Sequence, residues 1–241
     1  MGKKKLFGNY GFIVFVILAF LAFGVATYLS IRYTTASPVS IRYQPDFYRD
    51  IAGAFANAPW TALVYLIILI NTVIFFFLSV SGLVSRIAKK ESISLLTALF
   101  ANTFVLASLV FVFLYVLNDY GGFDSTNSTE LLALESAGFP ALGCLASYIA
   151  IPLSYKKRGT MAPFWFAFAA TALAIAGVVT FCFAEPSIWK GYDPTQLYFT
   201  YMLLLVVVGA LFTSIANIFL TIGAYSPVPD EGEEDDEDES N

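Results

Sequence analysis

The sequence predicts an all-α protein: a polytopic bundle of six transmembrane helices with both termini in the cytosol and a disordered acidic C-terminal tail. Three observations carry that expectation. Apolar residues make up 58% of the 241-residue chain and charged residues only 13%, whereas charged residues are about a quarter of a soluble domain. The charges fall in clusters, and between them lie six uncharged stretches, each meeting the roughly 20 residues needed to cross about 30 Å of hydrocarbon. The last residues, "SPVPDEGEEDDEDESN", reverse the pattern and hold half of the chain's 18 acids.

The expected spans are 10–31, 61–85, 92–118, 136–155, 162–184 and 198–223, so residues 1–225 form one transmembrane domain and 226–241 a separate tail. Span one follows Lys3, Lys4 and Lys5. Its apolar run of about 20 residues exceeds the 7–15 of a signal-peptide core, so it is expected to remain as an anchor, although "TTAS" offers a small-residue cleavage site after Ala36. Spans two and three are joined by a tight link carrying Arg86, Lys89 and Lys90, and spans four and five by one carrying Lys156, Lys157 and Arg158. Each span must be helical, because lipid offers the backbone no hydrogen-bond partner. The alternating segments of about 10 residues that mark an outer-membrane barrel are not present.

Basic residues beside span ends mark the side that was not translocated. The clusters before span one, between spans two and three and between spans four and five all fall on one side, which places both termini in the cytosol. The loop 32–60 is the exception, with Arg32, Arg42 and Arg49 against Asp46 and Asp50. Tyr10, Trp60, Tyr115, Tyr120, Trp189, Tyr198 and Tyr225 cluster near span ends, where an amphipathic ring is favoured. On the opposite side, "NST" makes Asn127 a candidate glycosylation site and the chain a candidate glycoprotein. The expected location is the endoplasmic reticulum or the plasma membrane if the host is eukaryotic.

The composition excludes most chemistry. The chain has no histidine, and the expected spans hold no Asp, Glu, Lys or Arg, the groups that build proton relays and ion pathways in membranes. Histidine-dependent metal sites and Ser–His or Cys–His nucleophiles are ruled out with it. Cys144 and Cys182 differ by roughly 9 Å in depth at 1.5 Å per residue, which disfavours a disulfide between them. "NDYGGFD" lacks the Lys-Ser/Thr of a phosphate loop. The basic residues are short flanks rather than a groove-sized patch, so no nucleic-acid partner is expected. No catalytic residue, metal or cofactor is expected either.

What the spans do contain is a candidate polar seam: Asn71, Asn102, Thr213, Ser214 and Asn217. Asn71 and Asn102 lie on the two arms of one hairpin, about 6 Å apart in depth. Ala210, Thr213, Ser214, Asn217 and Thr221 share a stripe of span six, and small residues recur at helical spacing in span one (Ala22, Ala26, Ser30) and span five (Ala170, Ala174). Such residues line a permeation path in one reading. In the other they are helix glue, with small residues allowing close approach and amides bonding across helices for about 0.6–2 kcal/mol each. The broken helices that hold substrate in many transporters are not evident.

The tail carries Asp230, Glu231, Glu233, Glu234, Asp235, Asp236, Glu237, Asp238 and Glu239. A block so charged repels itself and has no apolar surface to bury, so it is expected to be disordered. It solvates the protein, docks a basic cytosolic partner, or serves as a pseudo-ligand for the basic links. The expected function is that of a non-catalytic integral membrane protein, embedded in the bilayer and working through other membrane proteins: a scaffold, assembly factor or accessory subunit. The alternative is a small channel or carrier that passes an uncharged or weakly polar solute along the Asn/Ser/Thr seam.

Overall fold

The computed structural model describes residues 3–36, 50–57, 59–87, 95–119, 128–156, 160–184 and 194–224. They form seven α-helices: α1 (Lys3–Ala36), α2 (Ile51–Asn57), α3 (Pro59–Ile87), α4 (Leu95–Asp119), α5 (Ser128–Lys156), α6 (Ala162–Ala184) and α7 (Pro194–Ala224). Six are long and apolar enough to cross a membrane, over Tyr10–Ile31, Pro59–Val84, Leu96–Asn118, Leu131–Tyr155, Ala162–Ala184 and Thr200–Ile222. This is the architecture of a multi-pass membrane protein. Asn127 and the acids of the tail lie outside the described residues.

Two features depart from the sequence expectation. Within the fourth span the apolar stretch opens at Leu131 rather than Ser136, so it takes in the half-buried Glu135. The expected limits were drawn at charges, and a helix continues through an acid wherever its backbone bonds continue. The short helix α2 was not expected. Asp50 starts it by accepting the Gly53 N–H on Oδ1 at 2.8 Å, which satisfies one of the donors a helix N-terminus leaves open. Its Ala54 is buried, and Pro59, in the first position of α3, follows almost at once.

Every consecutive pair of long helices for which a contact fixes the direction runs antiparallel. Ile13 meets Gly82, Phe23 meets Phe75 with ring centroids 5.2 Å apart, and Thr27 meets Thr72, so α1 descends as α3 ascends. Asn71 on α3 reaches Phe104 and Ser108 on α4. Phe113 and Asn102 on α4 face Gly138 and Cys144 on α5. Gly143 and Pro140 on α5 face Ala170 and Gly177 on α6. The ends of the bundle close on themselves, because Phe219 of α7 packs directly on Gly11 and Gly209 packs on Phe23. Helix α7 is central, packing on α1, α4, α5 and α6.

The packing is the inverse of a soluble protein's in one respect. Helix α6 buries Ala167, Ala170, Thr171, Ala174 and Gly177 and turns Trp165, Phe168, Ile175, Val179 and Phe183 outward. Outward faces of α3 (Phe76, Phe77, Val80) and α5 (Leu142, Leu145, Ile149) are equally apolar, a surface far beyond what a soluble monomer exposes. Lipid is the solvent that suits it. Between helices in lipid there is no hydrophobic driving force, so close fit and hydrogen bonds must hold them. At Gly143 two helix backbones approach closely: a Cβ there would stand 2.7 Å from the Ala170 carbonyl oxygen. At Gly177 it would stand 2.8 Å from the Ser136 oxygen, the carbonyl that Pro140 leaves without its helical N–H partner.

Candidate functional site

The sequence singles out five polar residues in the spans, and the fold buries all of them: Asn71, Asn102, Thr213, Ser214 and Asn217. Their hydrogen bonds serve different helices. Asn71 Nδ2 donates to its own helix at Ile67 O (3.1 Å), to Phe104 O on α4 (3.3 Å) and to Ser108 Oγ. Ser108 Oγ in turn donates to Phe104 O at 2.9 Å. Asn71 is therefore a tie between α3 and α4.

Asn102 stands about one turn nearer the α3–α4 link and faces the other way. Its Nδ2 donates to the Cys144 carbonyl of α5 at 2.9 Å. One turn along α5, Tyr148 OH lies 2.5 Å from Thr103 Oγ1, and Thr103 Oγ1 itself donates to Leu99 O at 2.8 Å. With its one hydrogen so used, Thr103 accepts the tyrosine's. Asn102–Cys144 and Thr103–Tyr148 together clasp α4 to α5. The depth offset between Asn71 and Asn102 is what residue counting gives, but the two amides serve different interfaces.

The α7 residues bond mostly within their own helix. Thr213 donates to Gly209 O (2.8 Å), Ser214 to Leu211 O (2.8 Å) and Thr221 to Ile218 O (2.7 Å). Such back-bonding satisfies a hydroxyl in lipid without a neighbour. Two buried amide atoms have no partner among the described residues: Asn71 Oδ1 and Asn217 Nδ2. An unbonded amide group in an apolar interior is costly. They lie on α3 and α7, with α1 packed against both.

Between the polar ties the described interior holds a large apolar cluster. Phe23 of α1, Tyr65, Ile68 and Phe75 of α3, Leu109 of α4 and Met202 and Val206 of α7 belong to one buried cluster and are fully enclosed. Cys144 is buried and Cys182 exposed, and both are free thiols, as their depth offset led one to expect. Among the described residues no group of three or more His, Cys, Asp or Glu side chains converges.

Sequence reasoning missed Ser108, the Thr27–Thr72 contact at 2.8 Å and the Thr103–Tyr148 pair. Serines and threonines are too frequent in the spans to single out without knowing which way each faces. Ser108 carried one usable signal, in that it stands within a turn of the level that the hairpin register assigns to Asn71. No protein-family model, curated protein or solved structure matches the chain.

Proposed function

We propose that the chain is a non-catalytic integral membrane protein that works through protein partners, as a scaffold, assembly factor or accessory subunit. The observation that carries this reading is the use of the polar groups. Asn71 and Asn102, the most polar side chains in their spans, are spent on ties to neighbouring helices, and Phe23, Phe75, Ile68 and Met202 are fully buried. A bundle so tied supports a rigid role, and leaves the acidic tail as its most distinctive soluble feature. The basic flanks assign the ends of α1 and α7 that lie together to the cytosol, and Asn127 to the lumen or exterior, where glycosylation is expected in an endoplasmic reticulum or plasma membrane. The tail then docks a basic cytosolic partner.

A second reading, a small channel or carrier for an uncharged solute, is favoured by one observation: Asn217 is 2% exposed and its Nδ2 has no partner among the described residues. Asn71→Leu and Asn217→Leu in proteoliposomes separate the two. Under the partner reading, Asn71→Leu lowers the unfolding midpoint and no solute flux of the parent protein is lost. A flux that falls in Asn217→Leu while the unfolding midpoint is unchanged would replace that reading with the carrier.

A further inference from the structure

The fourth span, opening at Leu131, holds the one charged residue in the six apolar stretches. Glu135 lies four residues inside that stretch, about 6 Å in at 1.5 Å per residue. It is half-buried, and its side chain makes no hydrogen bond or ion pair among the described residues. A carboxyl group at that depth is costly unless paired, and ionisable groups inside spans are kept for functional contacts.

The hydroxyls beside it are spent. Ser136, next in sequence, donates to Ala133 O at 2.6 Å. Gly177 of α6 packs against Ser136 and Pro140, and Gly143 of α5 against Ala170; continuing that antiparallel pairing sets Thr180 level with Glu135. Thr180 Oγ1 donates within its own helix, to Ala176 O (3.0 Å) and Gly177 O (3.1 Å). Neither hydroxyl has a hydrogen left for the carboxyl. The acid also lies toward lipid, because Leu142, seven residues on and so on the same helix face, is 54% exposed. On α6 a stripe of small residues leads to its level. Ala172 is exposed, and Ala176 and Thr180 follow at intervals of four, both half-buried. Bulky Phe168, Ile175 and Val179 stand exposed beside them. Small residues four apart let another helix approach closely in lipid.

We propose that this face of α5 and α6 seats one transmembrane helix of a partner protein, with a lysine or arginine of that helix on Glu135. Charge complementarity selects the basic residue, which donates to the carboxyl and balances it where water is scarce. The small-residue stripe selects a helix: a lipid amine would answer the carboxyl but makes no use of a seat for a close backbone. This contact rests on the reading of the chain as one that works through partners, and names a class of partner embedded in the same membrane.

Energy transfer in phosphatidylcholine vesicles tests the seat, using the full chain with an acceptor fluorescent protein fused after Asn241. The probe is a donor-labelled designed helix of leucine and alanine with one lysine four residues inside one end of its apolar stretch, compared with the same helix carrying leucine there. The lysine helix should associate at least about tenfold more tightly than the leucine helix, and Glu135→Gln should close the gap. Ala172→Leu, which enlarges a lipid-exposed side chain and leaves the bundle interior untouched, should weaken the lysine helix severalfold. Equal association of the two helices, a lysine preference that survives Glu135→Gln, or indifference to Ala172→Leu would overturn the proposal. Glu135-dependent binding of a spin-labelled long-chain amine, with no preference for the lysine helix, would replace the partner helix with a lipid. Failure of the lysine helix would leave docking at the tail standing, whereas failure of partner capture by the tail would leave the lysine preference in place.

Discussion

Replacing Gly143 by alanine adds one methyl group, and the structure says where it goes. The new Cβ would stand 2.7 Å from the Ala170 carbonyl oxygen and 3.4 Å from that residue's carbonyl carbon and Cα. All three atoms are backbone, so no side chain can swing aside. Relief requires α5 and α6 to part by several tenths of an ångström over their length. A gap of about 0.5–1 Å forfeits a quarter to a half of each dispersion contact lining it, and overpacking of this kind costs about 1–3 kcal/mol. Alanine returns up to about 1 kcal/mol through its better helix propensity. The expected net is a loss of about 1–2 kcal/mol, close to a tenfold shift in the unfolding equilibrium. Reversible unfolding in mixed micelles titrated with dodecyl sulfate measures it. Gly138→Ala is the matched control, because its Cβ would meet only the Phe113 ring at 3.9 Å, and it should be neutral or slightly stabilising. A Gly143→Ala protein as stable as Gly138→Ala would refute the claim that backbone contact at this glycine holds the hairpin together.

The other predictions follow from the ties and the thiols. Asn102→Leu removes the donor to Cys144 O and should cost about 0.6–2 kcal/mol; Thr103→Val, which loses the partner of Tyr148, should cost a similar amount, and the double variant less than the sum, since both serve one clasp. Native protein treated with N-ethylmaleimide should gain one adduct, at the exposed Cys182, and the buried Cys144 should react only after denaturation. Equal labelling of both in the native state would contradict the packing of α4 on α5.

Most of the fold was legible because lipid imposes it. Charges cannot stay in hydrocarbon and backbone polar groups must bond within their own segment, so the gaps between charge clusters mark the helices, and Tyr10–Ile31 and Ala162–Ala184 fall where residue counting puts them. The start of the fourth span was misplaced because Glu135 was treated as a boundary. Its helix begins at Ser128 and carries the acid part-way in. Helix α2 was not legible, since a helix of seven residues in a polar loop leaves no periodic signal. The candidate site was legible as a set of residue types but not as an arrangement. Depth can be counted along a helix, and it gave the offset of Asn71 from Asn102. Direction cannot be counted when a helix is apolar on every face, and direction is what sends Asn71 to α4 and Asn102 to α5. The small residues were the better guide: Ala22, Ala26, Ala170, Ala174 and Ala210 all mark buried faces, because in lipid size rather than polarity sorts inside from outside.

The proposed function is that of a tightly tied bundle that presents its tail to a protein partner. Purification in mild detergent most directly tests it, with the full chain beside a form ending at Tyr225 and a full-length form whose nine tail acids are changed to asparagine and glutamine. A stoichiometric partner should accompany the full chain and be lost from both altered forms. Three preparations that run as the same bare particle would contradict it.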